Sequence, residues 1–362
     1  MRIDSLTFFR FVAASIVVIF HYGRDATGLQ GILIAGPEMV TFFFVLSGFV
    51  MGISYLKKDV KISYYWWARA ARILPAYFLA LGFVVAYYII KGIEIDTASL
   101  ILGMTLMQSW IPPYATTLNG PGWSLSVEAF FYASFPFILR YINKSAQSAR
   151  NVLIYCFSFW LLIQSISTLI LTEGLTFSYP NLKYIVAYFP LTHLCSFTLG
   201  IGGAMFFLER RYTLYSENWS LIIFLLSLIM LIGFINNQDL INEKIHLVLP
   251  YQSSLFAPLF LLLVLSISGC PSYFKFLNGG IFKLVGEASF SLYILQSPMH
   301  IIYTKVVTTN ISISPLANFI FFMIFLILIS VITFLFFERP MNKYIRYSLP
   351  KIFRTREYKL FN

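Results

Sequence analysis

The sequence predicts an all-α polytopic membrane protein with about ten transmembrane helices and one further apolar segment, re-entrant or interfacial. Three observations carry this. Hydrophobic residues make up 59% of the 362 residues and charged residues only 11%, whereas a soluble chain carries about a quarter charged residues. Apolar runs of bilayer-spanning length, about 20 residues, recur from end to end. The net charge is +11, and the basic residues sit in short loops and the C-terminal tail, where they orient spans in a lipid bilayer. That placement argues against a nucleic-acid groove. Cys156, Cys195 and Cys270 lie in or beside apolar runs at wide spacings, which fits neither a disulfide framework nor a metal site.

The first span, 6–24, could pass for a signal peptide, but Arg10 interrupts its apolar run and no small-residue cleavage site follows; it reads as a retained helix. Further spans are expected at 37–55, 70–91, 122–140, 151–171, 185–208, 219–235, 251–268, 282–304 and 316–337. Between the third and fourth lies a shorter apolar stretch, 98–111, which runs into Pro112 and Pro113. Whether it crosses decides the orientation of everything after it. Lys57, Lys58, Lys61 and Arg69 make the loop after the second span basic. Arg140, Lys144 and Arg150 do so after the fourth, and Arg210 and Arg211 after the sixth. The tail carries Arg339, Lys343, Arg346, Lys351, Arg354, Arg356 and Lys359. All four regions face the cytoplasm only if 98–111 does not cross, so both termini are expected there. Loop 236–250, with Asp239, Glu243 and Lys244, is close to neutral, as an outer loop should be. The chain thus divides into a membrane domain, 1–340, and a basic cytoplasmic tail, 341–362. No internal repeat is visible, which weakens the case for a transporter built from inverted halves.

Ionisable residues inside spans are costly and mark function or buried pairs. Here they are Arg10 and His21 in the first span, Arg72 at the start of the third, Glu128 in the fourth, His193 in the sixth, Glu287 and His300 in the ninth, and Glu338 at the end of the last. Arg10 and His21 are eleven residues apart, about 1100° of helical rotation, so they share a face roughly 16 Å apart. The bland reading is that Arg10 snorkels to headgroups and His21 is a satisfied interfacial histidine. In PGWSLSVEAFFYASFPF, 121–137, a Pro-Gly break precedes a helix that Ser124 or Ser126 could cap, with Glu128 in its first turns. An apolar run follows Glu128, so the carboxylate is expected to face the interior and to need a partner. His21 is the candidate, because both lie toward the outer side; a carboxylate that orients a histidine is a recurring catalytic pair. In YYWWARAARILPAY, 64–77, Arg69 and Arg72 are three apart on one helix face, a fork suited to phosphate. Its plainer reading is charge anchoring, with Trp66 and Trp67 in an aromatic belt.

Taken in order, these blocks resemble the acyltransferase type 3 family of integral membrane proteins. The resemblance rests on Arg10, ten residues, then His21; FFFVLSGF at 42–49; RAARILP at 69–75; WSLSVE at 123–128; FTLGIGGAM at 197–205; GEASFSLYILQSPMH at 286–300; and FFERPMNKYIR at 336–346. Two departures stand out. Gln296 occupies the position where many relatives carry a histidine after SLYL, with His300 one turn on, so a catalytic role is carried to neither. The stretch HLCSFTLG lacks the acidic residue that often precedes FxxG. The chain reads as the stand-alone form, without a soluble esterase-like domain.

The resemblance implies O-acyl transfer in the bacterial inner membrane, from cytoplasmic acyl-CoA, usually acetyl-CoA, to a carbohydrate hydroxyl such as that of O-antigen or exopolysaccharide. Acyl-CoA would be a co-substrate, with no bound cofactor. Arg69 and Arg72 would hold its phosphates, and its arm would pass Arg10 toward His21. His21 would act as general base or carry the acyl group itself; both routes stay open. Glu128 would orient His21. Trp123, Ser124 and Ser126 would line the site, and Ser47 and Gly48 would permit close approach of helices or substrate. The rival reading is a transporter or flippase of lipid-linked sugars, which explains the spans but not the joint occurrence of these blocks. The sequence carries no sign of an oligomeric state.

Overall fold

The computed structural model describes residues 3–28, 35–58, 61–145, 148–210, 216–306 and 314–348, and every described regular element is helical. The main ones, in chain order, are α1 (Asp4–Val18), α2 (Gly36–Tyr55), α3 (Ile62–Lys91), α4 (Thr97–Thr105), α5 (Trp123–Ser145), α6 (Ala149–Thr172), α7 (Pro190–Arg210), α8 (Glu217–Asn236), α9 (Ala257–Gly269), α10 (Gly280–Glu287), α11 (Ser289–Val306), α12 (Pro315–Thr333) and α13 (Arg339–Tyr347), with the short helices Arg24–Thr27, Leu175–Ser178, Asn181–Tyr188 and Gln238–Ile245 and several turns between them. Two of these run on into π turns: α1 into Ile19–Gly23 and α12 into Phe334–Glu338.

Among the described residues, eight helical stretches are long and apolar enough to cross a membrane, and they overlap eight of the ten expected spans. The other two are shorter. The stretch 251–268 is a series of turns followed by the thirteen residues of α9, and 282–304 is divided between α10 and α11 at Ala288. One boundary moves: α3 begins at Ile62 rather than near 70. Its first two turns carry Tyr64, Tyr65, Trp66 and Trp67, side chains suited to a membrane interface. Arg69 and Arg72 therefore lie about two turns inside the helix and not at its start.

The segment 98–111 does not form a span. Its helix, α4, has nine residues, about 13.5 Å, against a hydrocarbon core of about 30 Å. Asp96 caps it, accepting from the Ser99 amide at 2.8 Å and the Ser99 hydroxyl at 2.8 Å. Those bonds hold the exposed Asp96 carboxyl below the usual carboxylate range. Leu106 ends the helix in the left-handed region, at φ 56°. The chain then turns back into the protein, where Gln108, Ser109, Asn119, Pro121 and Gly122 are buried.

Helix α2 is the axis of the bundle, packed against α1, α7 and α9. Its crossing with α7 is a backbone contact. A Cβ on Gly48 would lie 2.0 Å from the Phe197 carbonyl oxygen, and one on Gly200 would lie 2.1 Å from that of Val45. Small residues at a helix crossing allow this approach, and dispersion then holds the pair. The peripheral helices are apolar outward: Ile154, Leu161 and Leu162 on α6 and Leu226 and Ile229 on α8 are exposed, while Gln164 and Ser227 of the same helices are buried. Polar groups inside and apolar groups outside is the arrangement that lipid requires.

Candidate active site

Helices α1, α2, α3, α5 and α11 line a cavity of about 120 Å³. Arg10 enters it from α1, Ser47 and Met51 from α2, Arg69 and Arg72 from α3, Ser124, Glu128 and Tyr132 from α5, and Ser289 and Tyr293 from α11. The fork of Arg69 and Arg72 follows from their spacing of three on a continuous helix. Glu128 and Tyr132 are four apart on α5, and the Tyr132 hydroxyl donates to Glu128 Oε1. The Ser47 hydroxyl lies 3.5 Å from the same oxygen.

The charge in this cavity is unbalanced. Three guanidiniums face one carboxylate, and among the described residues the ion pair within 4.0 Å is Lys283 with Asp4, which involves none of these arginines. Arg69 is held instead by soft contacts. Its Nη1 lies 3.5 Å from Met51 Sδ, and its guanidinium carbon lies 5.7 Å from the Tyr132 ring and 6.0 Å from the Tyr65 ring. Its Nε is buried with no hydrogen-bond partner among the described residues.

Two side chains given no role from sequence extend the cluster. Glu338, in the π turn after α12, is buried, accepts from the Ser291 hydroxyl at 2.7 Å, and acts electrostatically on Arg10 and Arg72. Arg346 of α13 acts likewise on Arg69 and Arg72, and its Nε is also buried and unpartnered among the described residues. Helix α13 is bound to α3: Trp67 Nε1 donates to the Ile345 carbonyl at 2.9 Å, and Asn342 Nδ2 to the Ala71 carbonyl at 3.1 Å. The start of the expected tail is thus a docked helix that brings a fourth guanidinium to the arginine cluster. Residues 349–362, with Lys351, Arg354, Arg356 and Lys359, lie outside the described residues, as does Arg211.

His21 sits in the π turn that ends α1, with its side chain exposed. It does not line the cavity. Its Nδ1 lies 2.8 Å from Gln296 Oε1 on α11. Arg10 and His21 do both face α11, since Arg10 shares the cavity with Ser289 and Phe290 of that helix. The expected pair of His21 with Glu128 is not formed. The reason lies in how α5 begins: its first turn is buried behind the inward-folded 106–122 segment, so Glu128 meets Arg69 and Tyr132 and not the far end of α1.

The remaining expected site residues divide. Ser47 and Ser124 line the cavity, and Ser124 shares a hydrogen bond of 2.8 Å with the Tyr293 hydroxyl. Gly48 lies in the α2–α7 crossing. Trp123 packs instead on Phe44, Tyr188 and His193, with ring centroids 6.0, 5.0 and 5.3 Å away. Ser126 is turned to the folded-in segment, donating to the Leu106 carbonyl at 2.6 Å. His193 is buried with both nitrogens engaged, by Ser254 Oγ at 3.1 Å and the Ala187 carbonyl at 2.9 Å, which suits packing rather than chemistry. His300 stacks on Tyr22 at 4.1 Å. Tyr132 could have been found from sequence as the fourth residue after Glu128; Gln296, Glu338 and Arg346 meet partners too distant along the chain.

Comparison with known proteins adds the following. The family model described as an acyltransferase domain matches residues 3–335. The chain is similar to the protein named acyltransferase MdmB of Streptomyces mycarofaciens, at 33% identity over 161 residues, covering 40% of this chain and 41% of that protein. It is also similar to protein 2 in the picA locus of Rhizobium radiobacter, at 32% identity over 143 residues, covering 32% of this chain and 71% of that protein. The matched region thus spans less than half the length of the first relative. No solved structure matches.

Proposed function

The chain belongs to the acyltransferase domain family, and from that premise we propose that it moves an acyl group, most simply acetyl, from acyl-CoA to a hydroxyl of a cell-envelope carbohydrate such as O-antigen or exopolysaccharide. The observation that carries the donor half is the cavity of Arg10, Arg69 and Arg72 without carboxylate partners within 4.0 Å among the described residues. These guanidiniums are half-buried and favour an anion beside them, and planar forks suit phosphate oxygens. The basic loops support a reading in which this end of the bundle, with both termini, faces the cytoplasm from the inner membrane, where acyl-CoA is found. In this reading the phosphates bind at Arg69 and Arg72, with Arg346 adding positive charge beside them, and the arm enters the cavity.

His21 is the reacting base or nucleophile. Its place at the far end of α1 from Arg10 supports this, because in the same reading that end faces the side from which a surface glycan arrives. Tyr293 lines the cavity and His21 does not, so transfer requires an opening between them that admits the thioester. Glu128 belongs to the donor end in this scheme, balancing the arginines through Tyr132, and no longer orients His21. The test is mass spectrometry of host surface glycans with the intact protein and with His21→Ala at matched membrane abundance. Loss of one acyl mass from a defined sugar is expected. Retention of that mass in the variant, or movement of a lipid-linked sugar with no acylated product, would overturn the reading.

A further inference from the structure

We infer that Gln296 is the positioning residue for His21, fixing the imidazole as the Nδ1–H tautomer and leaving Nε2 with its lone pair free for the acceptor hydroxyl. This rests on the transferase reading above for its catalytic meaning, but the geometry stands by itself. Gln296 is fully buried, at 0% exposure. Its amide can be placed in only one sense: Nε2 donates to the Tyr293 carbonyl one turn back, at 2.7 Å. Oε1 is thereby aimed at His21 Nδ1, at 2.8 Å. An amide oxygen only accepts, so Nδ1 must carry the hydrogen. His21 Nε2 then has no hydrogen, and among the described residues it has no hydrogen-bond partner.

Three features make this a built arrangement. The π turn Ile19–Gly23 sets the direction of the ring, and such turns recur at functional sites. The backbone that anchors Gln296 belongs to Tyr293, whose hydroxyl meets Ser124 in the cavity, so the donor end and the histidine are linked through one turn of α11. The partner is also neutral. Of the neighbouring titratable groups, Tyr22 and His300 are stacked on each other, and Glu38 of α2 accepts from Gln238 at 3.3 Å. The histidine is oriented by an amide where catalytic histidines elsewhere are oriented by a carboxylate.

In the step this serves, Nε2 takes the hydroxyl proton as the hydroxyl oxygen bonds to the thioester carbonyl carbon. The C–S bond then breaks, and the thiolate leaves with the proton returned from Nε2. The Nδ1 hydrogen stays on His21 throughout, and Gln296 takes up no proton.

The first measurement is ¹⁵N NMR of the full-length protein in detergent, labelled at histidine and assigned with His21→Ala. His21 is expected as the Nδ1–H tautomer in the native protein and as a mixture in Gln296→Ala. The second is kinetics. Gln296→Ala is expected to lower kcat by about 10- to 100-fold, part of the general-base contribution, with donor KM within about twofold. Gln296→Glu places a carboxylate on Nδ1–H, favours the protonated ring, and is expected to move the acidic limb of the kcat–pH profile to higher pH. A native Nε2–H tautomer overturns the proposal, as does an unchanged kcat in Gln296→Ala or a pH profile that Gln296→Glu leaves in place. Should Gln296→Ala not fold, the native spectrum and Gln296→Glu decide. The expected tautomer with no acyl transfer to any acceptor would leave the positioning intact and remove the transferase reading instead.

Discussion

Arg10, Arg69 and Arg72 reach one cavity from two helices, and none has a carboxylate within 4.0 Å among the described residues, Glu128 and Glu338 acting on them from farther off. Keeping like charges together out of water costs several kcal/mol per ion unless something binds them. A phosphate that accepts from such a fork gains about 1.5–3 kcal/mol per charge-assisted hydrogen bond. Replacing Arg69 and Arg72 together by alanine should therefore weaken acyl-CoA binding by at least about 10- to 100-fold, read by titration calorimetry on the purified protein. Undiminished affinity in the double variant would dismiss the anion site. The same cluster shows where residue-scale legibility stops. The i, i+3 arginine fork and Glu128 with Tyr132 are local, so spacing exposes them. Gln296 and His21 are 275 residues apart, and nothing in a sequence without its fold joins them. The expected pairing of His21 with Glu128 followed from chemistry alone, and chemistry does not say how deep a helix starts.

The helices themselves were legible because lipid leaves the backbone few choices: apolar runs of sufficient length must be helical to satisfy their own amides. What escaped were departures from the regular helix. Neither the π turns at Ile19–Gly23 and Phe334–Glu338 nor the buried start of α5 has a local signature, since each is set by packing. The crossing of α2 and α7 lies between these extremes. LSGF suggested a close approach, but the opposing Gly200 could be identified only once the helices were placed. The steric consequence is sharp. In Gly48→Ala the added methyl would meet a backbone oxygen at 2.0 Å, so the helices must separate, at a cost of about 1–3 kcal/mol or more. Gly82→Ala on α3 is the counterpart, because a Cβ there meets nothing within 4 Å and alanine is the better helix former by about 1 kcal/mol. Thermal melts in one detergent should show a clear fall for the first and no loss for the second. Equal behaviour of the two would mean that this crossing does not limit stability.

For the whole molecule, everything functional depends on which end of the bundle faces which compartment, and α4 is the hinge of that assignment. If the nine residues of α4 do not cross, the segment from Ile93 to Gly122 enters and leaves on one side. The basic loops at Lys58 and Lys144 then share the opposite side with α13, the side on which the proposed donor would arrive. If 98–111 did cross, every later helix would invert, the arginines of α3 would part company with the charges of α13, and the positive-inside pattern would fail. The contacts already bear on this: Trp67 and Asn342 tie α3 to α13 at one end, which an inverted C-terminal half could not do. Single cysteines at Glu94, Thr116, Lys58 and Lys144, all exposed positions, give a direct measurement. The native Cys195 and Cys270 are buried and Cys156 only half-buried, so a charged, impermeant maleimide should report the introduced sites. In intact cells with a permeabilised outer membrane, Glu94→Cys and Thr116→Cys should label together, while Lys58→Cys and Lys144→Cys label only after lysis. Labelling that separates Glu94→Cys from Thr116→Cys would place a crossing between them. It would also part Gln296 and Arg346, which follow the crossing, from His21 and the α3 arginines, which precede it.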